Sequence, residues 1–221
     1  MKHRITDYST IIFDCDGVIL NSNKVKTEAF YHTALPYGEE AAMKLVEYHV
    51  ANGGVSRYKK FSYFLENIVS VQQRGPNLDK LLSSYAGKVR KGLLSCEVAK
   101  DLNKLREFTS EACWLIVSGG DQSELREIFA KRGLVRLFDG GIFGSPDTKD
   151  EILAQKIMDG VVQDPALFLG DSRYDYEAAT TAGLDFVFIS NWSEMKGWPY
   201  FVSSLLIDQR AELRDLFNEC Y

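Results

Sequence analysis

The stretch that most constrains the fold is the apolar run 11–13, which is followed at once by Asp14, Asp16 and Gly17. Such a run is typical of a strand in a parallel sheet that is covered on both faces. Ligands of such sheets collect beyond the carboxyl ends of the strands. Two close carboxylates repel each other unless a cation lies between them, and Mg²⁺ is a hard ion that takes oxygen ligands. The pattern predicts a Mg²⁺ site at the end of the first strand, with a simple polar turn as the alternative.

The second half of the chain alternates strand-like and helix-like segments. Apolar segments predict strands over 112–117, 166–169 and 186–189, a short strand or turn over 138–143 and an edge strand over 205–207. Helical spacing predicts helices over 98–108, 123–131, 149–158, 174–182 and 211–217. Alternation of this kind is typical of an α/β fold with a parallel sheet and right-handed crossovers.

The first half has a different pattern. Apolar residues recur at helical spacing from 24 to 94, which predicts about four helices and no strand. Asp14 and Ser118 lie 104 positions apart, whereas a βαβ unit needs only about 30 residues. We therefore predict a core formed by residues 1–20 and 95–221, and a helical domain of residues 21–94 that is inserted beside the site and covers it. One long helical layer within the same core is the alternative.

Composition excludes several classes of protein. The 221 residues carry a net charge of −5, which argues against a dedicated nucleic-acid binder. No apolar run is long enough to span a bilayer, so we expect no membrane partner. The chain has four cysteines, Cys15, Cys96, Cys113 and Cys220, and they lack the spacing of metal ligands. We therefore expect free thiols and a cytoplasmic location. The oligomeric state stays open.

A small polar group follows the predicted strand 112–117. Ser118 and Gly119 come directly before a predicted helix. A hydroxyl and backbone N–H groups at the start of a helix form a site for an anion. The alternative is that Ser118 or Asp121 only caps the helix.

Two further groups lie in comparable places. Lys149 begins a predicted helix, where the helix dipole disfavours a cation unless an anion lies nearby. Asp171 and Asp175 follow the predicted strand 166–169 and supply further oxygens for a cation. A solvated lysine and an aspartate helix cap are the alternatives, although a cap accounts less readily for both aspartates.

Four motifs in this order resemble those of the haloacid dehalogenase-like (HAD) superfamily: Asp14-x-Asp16-Gly17, Ser118, Lys149 and Gly170-Asp171-x-x-x-Asp175. The motifs span most of the predicted core. The resemblance implies a Rossmann-like, doubly wound parallel sheet core with an inserted all-helical cap domain. An acid at Asp16 favours the phosphatases and phosphomutases of the superfamily over its dehalogenases.

The resemblance also implies a phosphoryl-transfer mechanism with Mg²⁺ as the cofactor. Asp14 would attack phosphorus and form an aspartyl-phosphate, and Asp16 would act as general acid and then as general base. The implied metal site consists of the Asp14 carboxylate, the Asp16 backbone carbonyl and Asp171, with Asp175 close by or bound through water. The implied ligands of the phosphoryl group are Ser118, the Gly119 N–H and Lys149.

The predicted cap contains a glycine-rich loop, 53–57, which is similar to a loop that β-phosphoglucomutase and related members use near the substrate. By that resemblance Arg57 would reach an anionic group of the substrate. The alternative is a solvated Arg57 in a helix that Ser56 caps. The sequence shows no convincing histidine–lysine pair of the mutase kind in the cap, although His32 and Lys59 or Lys60 are available, and His32 and His49 are interpreted as ordinary helix residues.

These observations favour a cytoplasmic, Mg²⁺-dependent phosphatase that acts on a small phosphorylated metabolite. The segment 21–23 lacks the acidic residue that many relatives carry there, which also favours a phosphatase. A β-phosphoglucomutase-like sugar phosphomutase is the first alternative. A catalytically idle relative that binds a ligand is the second.

Overall fold

The computed structural model describes residues 3–70 and 72–217 of the chain. Its centre is a parallel sheet of six strands in the order β3-β2-β1-β4-β5-β6. The strands are β1 Thr10–Phe13, β2 Cys113–Asp121, β3 Gly141–Ser145, β4 Ala166–Gly170, β5 Asp185–Ile189 and β6 Asp208–Arg210. Ile12 of β1 lies opposite Leu115 of β2 and Phe168 of β4, so the first strand is central and fully buried.

Helices cover both faces of the sheet. The first four α-helices along the described chain belong to the insert, and the core helices that follow them are α5 Leu102–Phe108, α6 Gln122–Lys131, α7 Lys149–Met158, α8 Arg173–Thr181 and α9 Trp198–Ser204. Apolar side chains of α5 and α6 pack with Phe13 on one face, and those of α7 and α8 pack with Ile12 on the other. The predicted α/β fold with a doubly wound, Rossmann-like sheet is confirmed.

The long connection between β1 and α5 is helical, as the sequence predicts. It contains α1 Asn23–Ala34, α2 Glu39–Ala51, α3 Arg57–Tyr63 and α4 Leu78–Ser95, and α3 continues as a π-helical turn over Phe64–Ile68. The ring of Phe30 packs 5.1 Å from that of Phe61 and 4.4 Å from that of Tyr85. These helices therefore form a cap with a packed interior. Its apolar residues are continuous with one face of the sheet core, and the domain boundaries stay a prediction.

The end of the chain differs from its prediction. The predicted edge strand 205–207 is wrong, because Leu205 and Leu206 follow α9 at a turn in which Leu206 is 91% exposed and has a φ of 53°. The edge strand is β6, which consists of half-buried polar residues. The predicted helix 211–217 is a short 3-10 turn over Leu213–Leu216.

Two expectations from composition concern the whole chain. Cys15, Cys96 and Cys113 are free thiols, and Cys220 lies outside the described residues. None of the described helices combines the length and the apolar character that crossing a membrane requires.

Candidate active site

The predicted acidic residues meet at the carboxyl edge of the sheet. Asp14 follows β1 and Asp171 follows the neighbouring strand β4, while Asp175 lies in the first turn of α8. Parallel pairing of β1 with β4 brings the two strand ends together. One carboxylate oxygen of each residue lies within 4.8 Å of the other two, and all three residues are buried. Residues far apart in sequence therefore form one acidic cluster.

Lys149 is the cation in this cluster. Thr148 and Glu151 form a capping box that begins α7 and places the lysine in its first turn. Lys149 Nζ lies 2.8 Å from Asp14 Oδ1 and also contacts the Asp175 carboxylate. The Lys149 side chain is fully buried, so the alternative of a solvated lysine is wrong. The two carboxylates provide the anionic surroundings that a lysine at a helix N-terminus requires.

Asp175 holds the loop after β4 in place. Its Oδ2 accepts hydrogen bonds from Ser172 N at 3.0 Å, Ser172 Oγ at 2.6 Å and Asp171 N at 3.3 Å. Its Oδ1 accepts a hydrogen bond from Lys149. Both oxygens therefore have partners: Asp175 completes the capping box in which Ser172 is the N-cap of α8, and it anchors Lys149. Its predicted part in metal binding stays a prediction.

Asp14 and Asp171 have the electrostatics of a cation site. Burial, followed by the charges of nearby carboxylates, raises the pKa of Asp14 to about 7 despite Lys149. Burial and the Asp14 charge also raise the pKa of Asp171. Asp14 Oδ1 accepts no well-aligned hydrogen bond from the described residues, although Lys149 Nζ is near. Asp14 and Asp171 thus fit a small divalent cation with oxygen ligands such as Mg²⁺.

Asn23 and Gly17 shape the environment of Asp171. Asn23 Nδ2 donates hydrogen bonds to Asp171 Oδ2 at 2.7 Å and to the Trp192 backbone oxygen at 2.9 Å. A Cβ at Gly17 would come within 2.1 Å of Asp171 Oδ2, and Gly17 has a φ of 78°. Glycine is therefore required here both for space and for backbone conformation.

Asp16 points toward the cap. Lys26 of α1 forms an ion pair with its carboxylate, and Ser22 Oγ donates a hydrogen bond to Asp16 Oδ1 at 2.5 Å. Burial by itself would raise the pKa of Asp16, but the Lys26 charge and both hydrogen bonds hold the pKa below its usual value. The carboxylate is therefore ionised and separate from the cluster of Asp14 with Asp171.

The predicted phosphate-binding group after the apolar part of β2 is tightly folded. Ser118 is fully buried, and its Oγ accepts a hydrogen bond from Gly120 N at 3.0 Å. Asp121 caps α6, since its side chain accepts a hydrogen bond from Glu124 N at 2.8 Å. The helix-cap alternative thus applies to Asp121, and Ser118 is not the cap. Binding of a phosphoryl group by Ser118 and Gly119 stays a prediction.

Gly119 of the core lies directly against the cap loop. A Cβ at this position would come within 1.9 Å of the Gly54 backbone oxygen in the cap loop. We expect Gly119→Ala to displace the cap and to lower kcat/KM by about 100-fold, because a displacement of about 1 Å at a reacting centre costs that much. Gly87→Ala is the matched control, since its Cβ would meet nothing within 4 Å. Steady-state kinetics with any hydrolysed ester test this, and equal rates for both variants would contradict it.

Arg57 lies at the same junction but is already paired. It is 7% exposed, so the alternative of a solvated arginine is wrong, whereas Ser56 does cap α3 as that alternative supposed. The guanidinium forms an ion pair with Glu124 of α6 and lies 4.8 Å from the centre of the Tyr85 ring. Arg57 therefore joins cap to core, and its contact with substrate stays a prediction.

A cavity of about 450 Å³ lies between cap and core. This volume falls within the range of roughly 300–1,000 Å³ that small-molecule sites occupy. Asp14, Asp16 and Asp171 line it from the sheet edge, and Arg57 and Gly54 line it from the cap. Gly119 also lines this cavity of metabolite size, whereas the predicted site residues Ser118, Lys149 and Asp175 are buried and do not line it.

Sequence reasoning missed several residues of this cavity. Lys26, His49 and Lys60 line it and are mostly buried. Lys60 Nζ lies 2.7 Å from His49 Nδ1, so the cap does contain a buried histidine–lysine pair and His49 is not an ordinary helix residue. The available signal was the glycine-rich loop 53–57, which leads directly into the helix that carries Lys60. The sequence does not show that packing of α2 against α3 brings His49 and Lys60 together.

Carboxylates on the floor of a cavity between a parallel sheet and a helical cap, with a buried lysine in contact with one of them, are the features of an enzyme site. The sequence model of the haloacid dehalogenase-like hydrolases matches residues 11–189. The chain therefore belongs to the haloacid dehalogenase-like hydrolase family, as the motifs predict. The prediction of an enzyme of the hydrolase class is confirmed. No curated protein matches the chain.

Solved structures share the fold over nearly the full chain. A provisionally assigned haloacid dehalogenase-like hydrolase from Bacteroides fragilis has a TM-score of 0.71 and 16% identity, and the match covers 96% of this chain and 100% of that one. A provisionally assigned phosphoglycolate phosphatase from Lactobacillus plantarum has a TM-score of 0.71 and 18% identity, and the match covers 95% of this chain and 99% of that one. A provisionally assigned β-phosphoglucomutase from Thermotoga maritima has a TM-score of 0.64 and 17% identity, and the match covers 96% of this chain and 97% of that one. At these identities the likeness concerns the fold.

Proposed function

We propose that this hydrolase is a Mg²⁺-dependent phosphatase that acts on a small phosphorylated metabolite through an aspartyl-phosphate intermediate. The observation that carries the proposal is the buried Asp14 carboxylate, which lies 2.8 Å from Lys149 Nζ and beside Asp171 in a cavity of metabolite size. The phosphatase assignment of the structure from Lactobacillus plantarum supports it.

In the first step an Asp14 carboxylate oxygen attacks phosphorus, an acyl-phosphate bond forms and the ester P–O bond breaks. The leaving oxygen needs a proton, for which Asp16 is the candidate donor. In the second step Asp16 takes a proton from water, and the water oxygen displaces phosphate from Asp14. The ion pair with Lys26 keeps Asp16 ionised, which suits the second step. Donation in the first step requires that this ion pair loosen and that Asp16 first take up a proton from solvent.

Charge neutralisation explains the other residues. Lys149, Ser118 Oγ and the Gly119 N–H are the proposed ligands of the phosphoryl oxygens, which carry spread negative charge in the transition state. Asp14 and Asp171 would hold Mg²⁺, which when bound neutralises carboxylate and phosphoryl charge. The cap positions Asp16 through the ion pair with Lys26.

A sugar phosphomutase is the second candidate. The buried His49–Lys60 pair in the cap favours it, because the pair offers hydrogen-bonding groups opposite the acidic cluster. The structure from Thermotoga maritima carries a mutase assignment. A cytoplasmic location, and the expectation of no nucleic-acid and no membrane partner, stay predictions.

Phosphate release from a panel of small phosphomonoesters tests the proposed function. We expect release with Mg²⁺, and a loss of roughly 100-fold or more with EDTA, because metal charge stabilisation is worth several kcal/mol. Readdition of Mg²⁺ should restore the rate. Release that is unaffected by EDTA would contradict the metal dependence. No release, together with conversion of β-glucose 1-phosphate to glucose 6-phosphate, would support the mutase instead.

A further inference from the structure

Lys60 differs from the other buried basic residues. Four basic side chains are buried in the part of the chain that the structure describes: Lys26, Arg57, Lys60 and Lys149. The other three are each paired with a carboxylate. Among the described residues no carboxylate lies at ion-pair distance from Lys60 Nζ, although Lys60 is only 2% exposed. A buried ammonium without a counter-anion is unfavourable, so its presence requires a reason.

The contacts of Lys60 leave part of its donor capacity unused. Its Nζ lies 2.7 Å from His49 Nδ1 and 3.4 Å from the His49 backbone oxygen. It also lies 5.6 Å from the centre of the Phe30 ring. An ammonium has three N–H donors, and these two acceptors use two of them. Because Nδ1 faces the ammonium, it accepts, and the His49 proton then resides on Nε2.

The charges around Lys60 do not compensate its own. Burial, followed by the positive charge of Lys26, lowers its pKa to about 7. Lys149 acts in the same direction, and Asp14 and Asp16 oppose it only partly. Both aspartates are already paired with other lysines. Near neutral pH Lys60 is therefore balanced between ammonium and neutral amine, and an anion bound beside it would supply the counter-charge that favours the ammonium.

The cavity is the place from which an anion can reach Lys60. Lys60 and His49 line it on the cap side, opposite Asp14 and Asp171 on the sheet side. We propose that Lys60, supported by His49, binds a second anionic group of the substrate, a carboxylate or a second phosphate, while the phosphoryl group lies at Asp14. This proposal rests on the proposed function, because it takes the substrate to be a phosphomonoester. The bound anion accepts a hydrogen bond from the unused N–H of Lys60 and supplies the counter-charge.

Three esters that differ in their tails test this subsite: phosphoglycolate, ethylene glycol bisphosphate and ethyl phosphate. Wild-type protein should prefer one of the first two over ethyl phosphate, and which one it prefers distinguishes a carboxylate from a phosphate. In Lys60→Met we expect the ratio of kcat/KM for that ester to kcat/KM for ethyl phosphate to fall about 10- to 100-fold, as for loss of a charged hydrogen bond. Lys59→Met is the matched control, because Lys59 is the exposed neighbour on the same helix.

Several outcomes would overturn the subsite. One is an equal loss on all three esters in Lys60→Met, which indicates a structural role. Another is wild-type protein that does not prefer a charged tail. If Lys60→Met fails to fold by circular dichroism, Lys60→Gln replaces it, because it keeps a donor for His49 without the charge.

Binding separates this proposal from the proposed function. If wild-type protein hydrolyses none of the three esters, the phosphatase reaction on them fails. Calorimetric titration with the same three compounds then tests the subsite alone. Tighter binding of a charged-tail ester than of ethyl phosphate, lost in Lys60→Met and kept in Lys59→Met, supports it. Equal binding of all three by wild-type protein overturns it.

Discussion

The Asp14→Asn variant should lose at least about 10³-fold in the rate of phosphate release, because removal of a covalent nucleophile leaves only binding and charge stabilisation. The amide has nearly the size of the carboxylate and can still contact Lys149, so the protein should stay folded. Lys149 also keeps its ion pair with Asp175. Phosphate release and thermal unfolding, measured on the same preparation, test both parts of the expectation.

Asp79→Asn is the matched control for this variant. It makes the same chemical change at an exposed position of α4 and should leave the rate unchanged. Equal turnover by Asp14→Asn and wild-type protein would rule out Asp14 as the nucleophile. Loss of turnover accompanied by loss of cooperative unfolding would instead show that the carboxylate is needed for the fold. Mass spectrometry of protein quenched during turnover should detect a phosphoryl adduct in wild-type protein and none in Asp14→Asn.

Local signals in the sequence were sufficient for most of the fold. The helix predicted over 149–158 from helical spacing has the same ends in the structure, Lys149–Met158, where a capping box of Thr148 and Glu151 begins it. The strand predicted over 166–169 from its apolar residues is β4, which is buried at every position. Residues 205–207 misled because a short apolar run does not distinguish a strand from the end of a helix. The edge strand β6 lies just after this run, and it could not be predicted because its three residues are all polar.

The floor of the site could be predicted because parallel strands end at one edge. Asp14 and Asp171 follow adjacent strands, so their positions in the sequence imply their proximity. The roof could not, because cap packing decides which side chains of separate helices meet. The pairs of Lys26 with Asp16 and of Lys60 with His49 have no signature in residue spacing. Tertiary contact alone reveals them.

Lys149→Met should separate phosphate binding from metal binding. The substitution leaves the carboxylates of Asp14 and Asp175 buried without their cation. Breaking such a pair typically costs about 3–5 kcal/mol, so we expect a loss of this size in the free energy of unfolding of metal-free protein. Phosphate release should fall about 100-fold or more, because a ligand of the transferred group is lost. Chemical denaturation and steady-state kinetics measure the two effects.

Lys156→Met is the matched control on the same helix. Its ion pair with Asp159 is open to solvent on the Asp159 side, which is 36% exposed, and pairs within reach of solvent contribute only about 0–1 kcal/mol. Stability and turnover of this control should therefore stay close to those of wild-type protein. A loss of stability in Lys149→Met no larger than in Lys156→Met would contradict the assignment of Lys149 as the cation that holds the acidic cluster together.

The response of Lys149→Met to Mg²⁺ carries the sharper test. A positive charge 2.8 Å from Asp14 repels a divalent cation at the same carboxylate. Its removal should strengthen Mg²⁺ binding, seen as a larger rise in melting temperature at equal Mg²⁺ concentration, even while turnover falls. Tighter metal binding with slower turnover would assign Lys149 to the phosphoryl group. Weaker metal binding would show that Lys149 chiefly maintains the geometry of the carboxylates, and the phosphate-binding assignment would fall.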